Sequence, residues 1–377
     1  MDAALHFHIQ TELAADELAL LWRDLETRAD VTFFLSWDWI GAWIAELGIK
    51  PTVLIGEAGG AMVLLGIVVP RRRREAGVIR VDGLYLHATG RRETDVIAHE
   101  YNGFLVARDW RGRAEAAAAG FLLGCQIGRG RFDELHIVAM LDRDQALLTP
   151  PGALVQVPFR KPSWRVDLEA VRASGRPYLE QLSANTRQQI RRSMRLYEER
   201  GPLLAARAED APTALAWLDE LKSLHQAHWQ ARGEPGGFAF PFFERFQQRL
   251  IANCVPRGTV EMLRVTAGDE TIGYVYNLMW RGHVLAYVTG FRAEQDGRLK
   301  PGLVGHTLAI ERHVQEGARL YDFMAGEYRY KTNLGQEGPE FVYLLLQRAT
   351  PTTRMEQTLR RGRDRVRALT RRRRPDG

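Results

Sequence analysis

Cysteine is scarce: Cys125 and Cys254 are the two in 377 residues, each in apolar surroundings. Neither a disulfide framework nor a thiolate metal site is expected, and two buried free thiols in a cytoplasmic protein is the simplest expectation. No run of about 18 apolar residues occurs, so no membrane-crossing helix is expected. The opening MDAALHFHIQTELAADE lacks a basic stretch followed by an apolar one, so no secretory signal is expected. Zinc-ligand spacing, a Walker loop, a Rossmann glycine fingerprint and a Ser-His-Asp pattern are all missing, and no metal is expected. A broad basic face is missing too. The net charge of +6 comes from the end of the chain, where ten Arg from Arg354 onward face Glu356, Asp364 and Asp376. The body before it is close to neutral, which argues against a nucleic-acid-binding face. For residues 351–377, a basic helix or tail, the plain reading is a solvated terminus. The functional reading is peripheral contact with anionic lipid of the inner membrane, or with RNA.

What is present is an ordinary globular composition, 45% hydrophobic and 26% charged, long enough for two cores. One order of elements is written twice. In the second half a strand at Leu203–Arg207 precedes helices at Pro212–Ala231 and Pro241–Asn253. Strands at Thr259–Thr266, Thr271–Trp280 and Val284–Phe291 follow, with hairpin turns at Gly268-Asp269 and Arg281-Gly282. A helix after Lys300-Pro301-Gly302, a strand at Leu320–Met324, a short helix and a final strand at Phe341–Gln347 complete it. The first half echoes this with strands at Leu5–Gln10, Thr52–Glu57, Met62–Pro70, Val78–Tyr85 and Glu134–Ala139. Its helices are Asp16–Arg28, Trp37–Leu47 and Ala114–Ile127. The breaker cluster Thr149-Pro150-Pro151-Gly152 separates the halves.

The segment 283–334 reads as strand, turn, helix, strand and a short aromatic helix. Pro301 suits a first helical position, and a strand feeding a helix start through glycine is a place to hold phosphate. Three stretches carry a family resemblance. They are Leu182-Ser183-Ala184-Asn185-Thr186-Arg187-Gln188-Gln189-Ile190-Arg191-Arg192-Ser193, then Leu224-His225…Trp229…Gly233 with Phe238 and Phe242, then Asp322-Phe323…Gly326-Glu327…Tyr330-Lys331. Together they resemble the GNAT acyltransferase superfamily, in particular the CelD/BcsL cellulose-biosynthesis group related to FemAB-type aminoacyltransferases. The resemblance covers 160–350 well and the first half more loosely.

That resemblance implies an α/β fold of tandem GNAT-like domains. Each is a mostly antiparallel sheet flanked by helices and splayed between its fourth and fifth strands. The expected division is 1–150, a non-catalytic partner that shapes the acceptor cleft, and 151–350, the acyltransferase domain. It also implies a co-substrate, acetyl-CoA or another acyl-CoA, and an amine acceptor on a small molecule or saccharide. FemAB-type relatives instead take aminoacyl groups from charged tRNA, and a silent module of a polysaccharide synthase is a third possibility.

Acyl transfer from a thioester needs positioning, a polarised carbonyl, a proton acceptor for the amine and an acid for the thiolate. Along the fourth strand Val288, Thr289, Gly290 and Phe291 would face the donor. The phosphate turn would use Arg298, Lys300, Gly302, Leu303, Val304 and Gly305, with Lys331 as a further anion contact. This turn departs from the usual GNAT spacing by one residue before Gly302, and Pro301 removes an amide. Glu327 is the first candidate base, with a helix-capping carboxylate as the plainer alternative. Tyr328 and Tyr330 are candidate acids for the thiolate, and core packing is the alternative. His225 could be an acceptor-side base or a packed core histidine. Asn185, Arg187, Arg191, His228, Trp229, Tyr287 and Asp322 are expected on the acceptor side, with Asp322 bracing Lys331 or an arginine. Glu100-Tyr101-Asn102-Gly103 precedes an apolar strand in the first half, with no role assigned.

Overall fold

The structure, a computed structural model, describes residues 4–75, 79–128, 130–351, 353–355 and 357. The elements that frame the site begin with β1 (Leu5–Gln10), α1 (Ala15–Thr27), α2 (Trp37–Leu47), β2 (Thr52–Ala58), β3 (Ala61–Glu75), β4 (Ile79–Leu86), α3 (Glu115–Leu122) and β5 (Glu134–Leu141). The linking segment supplies β6 (Ser163–Asp167) and α4 (Ala184–Glu198). Then come β7 (Leu203–Arg207), α5 (Ala211–Gln230), α6 (Pro241–Cys254), β8 (Val260–Ala267), β9 (Glu270–Trp280) and β10 (His283–Phe291). The chain continues with α7 (Pro301–Gln315), β11 (Leu320–Ala325), α8 (Arg329–Leu334) and β12 (Phe341–Gln347).

Local chemistry explains most boundaries. Ser36, Ser183 and Asp210 cap α2, α4 and α5 by accepting amides of the first turn. Pro241 and Pro301 open α6 and α7, where a missing N–H costs nothing. The β9–β10 hairpin turns through Arg281 and Gly282, both at positive φ, as a two-residue hairpin requires. Two elements differ from expectation in extent. The helix expected over Ala114–Ile127 stops at Leu122, ahead of Gly124 at φ +98. β3 runs on to Glu75, so the four arginines Arg71–Arg74 are strand residues paired with β4.

Two sheets result. The first has the order β1-β2-β3-β4-β5-β12, and the second β7-β8-β9-β10-β11-β6. In each, one inner pair is parallel and all other pairs are antiparallel. That pair is β4 with β5, matched from Gly83↔Glu134 to Tyr85↔His136, and β10 with β11, matched from His283↔Leu320 to Leu285↔Asp322. Beyond those residues the strands separate. A bulge at Tyr287, between Ala286 opposite Asn277 and Val288 opposite Tyr276, turns the end of β10 further away.

The final strand departs from the expected plan. Phe341–Gln347 was expected to complete the second sheet, but it pairs with β5 in the first. β6, from the linking segment, takes the matching place beside β11. The burial patterns account for the exchange. Phe341, Val342, Leu344, Leu345 and Leu346 are all buried, which suits an inner strand covered on both faces, and Leu154–Gln156 and Arg160–Lys161 cover its other edge. β6 leaves Arg165 and Asp167 exposed, as a strand nearer an edge can. Backbone pairing therefore crosses residue 150, with a strand from the far end of the chain completing the first sheet. The core crosses as well: Trp39 packs edge-on against Phe246 of α6, within one cluster that runs from Trp22 to Tyr276. Among the described residues no helix is long and apolar enough to cross a membrane.

Candidate active site

Past Leu285 and Asp322 the gap between β10 and β11 is entered by residues 97–101 of the first unit. The Tyr287 hydroxyl donates to Ile97 O at 2.7 Å and accepts from Gln247 Nε2 at 3.0 Å. The Glu100 carboxylate accepts the Ala325 N–H at 3.1 and 3.3 Å. Lys331 Nζ donates to Ala325 O at 2.7 Å and to Met324 O at 3.2 Å. Glu100 and Lys331 therefore meet at one residue, the end of β11. Both are buried, and burial pushes each toward its neutral form: the Glu100 carboxyl up to about 7, and the Lys331 ammonium down.

Tyr101 donates its hydroxyl to Asp322. The other Asp322 contacts are His283 Nε2 at 3.1 Å and the Met324 amide at 2.7 Å. Burial works to raise the Asp322 carboxyl, but these hydrogen bonds outweigh it and hold it below its ordinary value. Asp322 thus bonds a tyrosine and a histidine rather than bracing a lysine or arginine as expected.

The first unit has a matching gap, filled by Asn102. Its amide donates to Ala139 O at 3.3 Å and its Nδ2 to Leu86 O at 2.9 Å, bridging the ends of β4 and β5. Its Oδ1 lies 3.1 Å from His87 Nδ1, while His87 Nε2 accepts the Ile67 amide, so the proton belongs on Nδ1. Among the described residues six non-glycine residues have positive φ, and five of them, His87, Ala98, Tyr101, Ala139 and Met324, lie in the two gaps or the loop between. Such backbone persists where the surroundings hold it, and it concentrates at functional sites.

The turn before α7 is built on α4. Ser193 Oγ accepts the Lys300 amide at 2.8 Å. Arg298 is tied to Asp296, whose carboxyl is held down to about 2 mainly by that bond, with Arg192 nearby. Leu303 and Val304 point into the core, so this turn can offer a ligand the main-chain N–H groups of Gly302 and Leu303 rather than those side chains. A Cβ on Gly305 would stand 2.4 Å from the Phe291 ring, and one on Gly290 2.7 Å from Leu221 O. These two glycines let α7 and α5 lie close on β10. Val288 is buried; Thr289 and Phe291 are partly exposed along the unpaired edge.

The remaining candidates scatter. Trp229 Nε1 donates to His225 Nε2 at 2.9 Å, and His225 Nδ1 lies 3.3 Å from Gln226 Oε1, so both ring nitrogens are engaged. Burial holds His225 down to about 4. His228 is exposed beside Arg232. Arg187 donates to Glu180 O and Leu182 O, Arg191 faces Glu180, and Asn185 is exposed beside Gln189. Glu327 is exposed and makes no hydrogen bond or ion pair among the described residues. Tyr330 stacks on His306 at 5.1 Å, and Tyr328 lies 5.4 Å from Lys331 Nζ. Sequence reading missed Glu100, Tyr101 and His283 as site residues; the signal available was the unassigned Glu-Tyr-Asn-Gly run.

Beyond Tyr101 and His283 a cleft of about 560 Å³ opens between the units, lined in part by Thr32, Arg143 and Arg165. Glu261, His313 and Glu316 have metal-like spacing, but Arg207 already bridges the two carboxylates at 2.6 Å each.

Residues 184–332 match the family described as an acetyltransferase (GNAT) domain. No curated protein matches the chain. Among solved structures, FemX is similar at 10% identity, with 89% of this chain and 96% of that one covered and a TM-score of 0.55. The C-terminal domain of a protein described as a lysylphosphatidylglycerol synthetase, from Agrobacterium fabrum, is similar at 11% identity, with 92% and 96% covered and a TM-score of 0.52. A protein of unknown function from Bacteroides thetaiotaomicron is similar at 7% identity, with 91% and 100% covered and a TM-score of 0.50. These likenesses show the fold alone. With the two splayed sheets, they make this a mixed α/β fold of tandem GNAT-like units, and the acetyltransferase (GNAT) domain match lies in the second of them.

Proposed function

We propose that this chain, with its GNAT-type acyltransferase domain, moves an acyl group from a coenzyme A thioester directly to an amine of a small molecule or saccharide. The carrying observation is the gap between β10 and β11, which opens beside the start of α7. The free edge of β10 can pair with an extended pantetheine arm as an added strand would. The Gly302 and Leu303 amides and the α7 dipole favour a phosphate, with Arg192, Arg298 and Lys300 around them. The protein's own part is to align donor and acceptor, polarise the carbonyl with main-chain N–H groups and move one proton.

A second reading is aminoacyl transfer from charged tRNA. Pro301, which removes one amide from the cradle, and the similarity to FemX favour it. Under either reading the CelD/BcsL resemblance suggests cell-envelope or exopolysaccharide chemistry, carried out in the cytoplasm or at the inner membrane through the Arg-rich end. A silent module of a polysaccharide synthase is the outcome if no donor binds.

Calorimetric titration of nucleic-acid-free protein with acetyl-CoA and longer acyl-CoAs tests the donor. Micromolar binding that depends on chain length supports the proposal. No binding to any of them, with binding to aminoacylated tRNA, moves the assignment to the second reading. Truncation after Thr353 tests the tail: activity kept with membrane sedimentation lost makes it an address.

A further inference from the structure

We infer that Glu100, carried by the first unit into the gap of the second, is the proton acceptor for the attacking amine. This rests on the acyltransferase reading above. Its position supports it first. Glu100 lies between the two diverging strands, hydrogen-bonded to Ala325 at the end of β11, on a loop whose Ile97 O accepts the Tyr287 hydroxyl of β10. Only 7% of its surface is exposed, which shields it from bulk water.

The loop that carries it is held in an unusual backbone. Ala98 and Tyr101 are both left-handed, and Tyr101 is anchored to Asp322. The same loop closes the first unit's gap with Asn102, so an extended donor cannot lie there. The first unit has thus given up its own donor edge while lending a carboxylate to the other.

Three carboxylates and imidazoles that the sequence brings forward are less well placed. Glu327 faces solvent, His225 has both nitrogens engaged, and Asp322 is held ionised by three hydrogen bonds. The charged and titratable groups facing Glu100 are Lys331, Asp322, Lys161, Tyr101 and Tyr287. Burial and Asp322 disfavour its charge, while the Ala325 N–H, Lys331 and Lys161 support it. A carboxylate balanced this way is a stronger base than a solvated one.

The step balances as follows. The amine lone pair forms a C–N bond to the thioester carbonyl carbon, and the C–S bond breaks with its electrons leaving on sulfur. The nitrogen, cationic after attack, gives one proton to Glu100. Lys331 gives one proton to the CoA thiolate and recovers one from Glu100. The products are an amide and free CoA thiol, and both side chains return to their starting states.

The test uses the full chain, acetyl-CoA as donor and hydroxylamine or ethanolamine as a minimal acceptor, with thiol release followed across neutral pH. Glu100→Gln keeps an oxygen for the Ala325 amide, and its thermal unfolding is checked against wild type. The expected result is acetyl-CoA affinity within about twofold of wild type, turnover lower by about 100-fold, and loss of the acidic limb of the rate profile near neutrality. Glu100→Asp keeps the limb at a reduced rate. A Glu100→Gln protein with wild-type turnover and an intact limb overturns the inference and leaves the donor reading standing. A wild-type protein that does not bind acetyl-CoA overturns the donor reading, and this inference with it.

Discussion

Asn102 and Glu100 stand two residues apart on one loop and fill the open ends of two different sheets. Asn102 joins Leu86 to Ala139, and Glu100 joins the first unit to Ala325. One short segment is therefore both a clasp within its own unit and a contact in the other. Asn102→Ala should leave Leu86 O and His87 Nδ1 without their partner and cost about 1–3 kcal/mol. Urea unfolding measures it, and a loss under about 0.5 kcal/mol would mean the clasp is not Asn102.

Tyr101→Phe removes one of the bonds that hold the Asp322 carboxyl below its ordinary value. A carboxyl lowered in the folded state adds stability above its unfolded value, about 3.9, and that stability is lost as pH falls through the folded value. The variant's folded value lies higher, so its acid unfolding should begin at higher pH than wild type. Superimposable acid-unfolding curves would contradict this.

Burial favours the neutral form of several histidines: His87 and His225 are held down to about 4, His306 down to about 3, and His99 well below its ordinary value. The unfolded chain protonates below about 6.5 while the folded one resists, so stability should fall between about pH 6.5 and 4. His87, 1% exposed, contributes on the order of 3 kcal/mol of that fall. Urea midpoints across this range test it, and a flat profile would show that the unfolded chain gains no protons there.

Gly302→Glu puts a carboxylate where a phosphate is proposed to sit. Its Cβ would meet the Phe291 ring at an ordinary 3.5 Å, and a negative charge suits a helix start, so folding should be unaffected. Acyl-CoA affinity should fall tenfold or more by calorimetry. Affinity equal to wild type would place the phosphates elsewhere.

Glu327→Gln is the companion to the Glu100 variant. An exposed side chain without partners should leave turnover within about twofold of wild type. A large loss with donor affinity kept would instead return the proton to Glu327, the carboxylate the sequence brings forward.

That contrast shows what was legible in the sequence. The helix start at Pro301 and the Arg281-Gly282 turn depend on neighbouring residues, and they stand where sequence reasoning places them. The doubled order of elements, and so the splayed sheets, follow from those local signals. Glu327 looks like a site residue because it follows a strand and stands among Tyr328, Tyr330 and Phe323, yet its side chain is exposed. Glu100 bonds a residue 225 positions away, and no spacing or period marks such a contact. Phe341–Gln347 is legible as a buried strand, but burial specifies an inner position and not which of two sheets provides it.

The exchange of β6 and β12 bears on how the chain is made. Every other labelled strand of the first sheet lies before residue 142, while β12 begins at Phe341. During synthesis the β12-facing edge of β5 stays unpaired until Phe341–Gln347 has left the ribosome. Folding from the N-terminus forward cannot close that sheet, and the apolar edge is open to other partners meanwhile. A chain cut short just before β12 would lose an inner strand of its first sheet, so damage late in the sequence is felt in a sheet made mostly from its beginning.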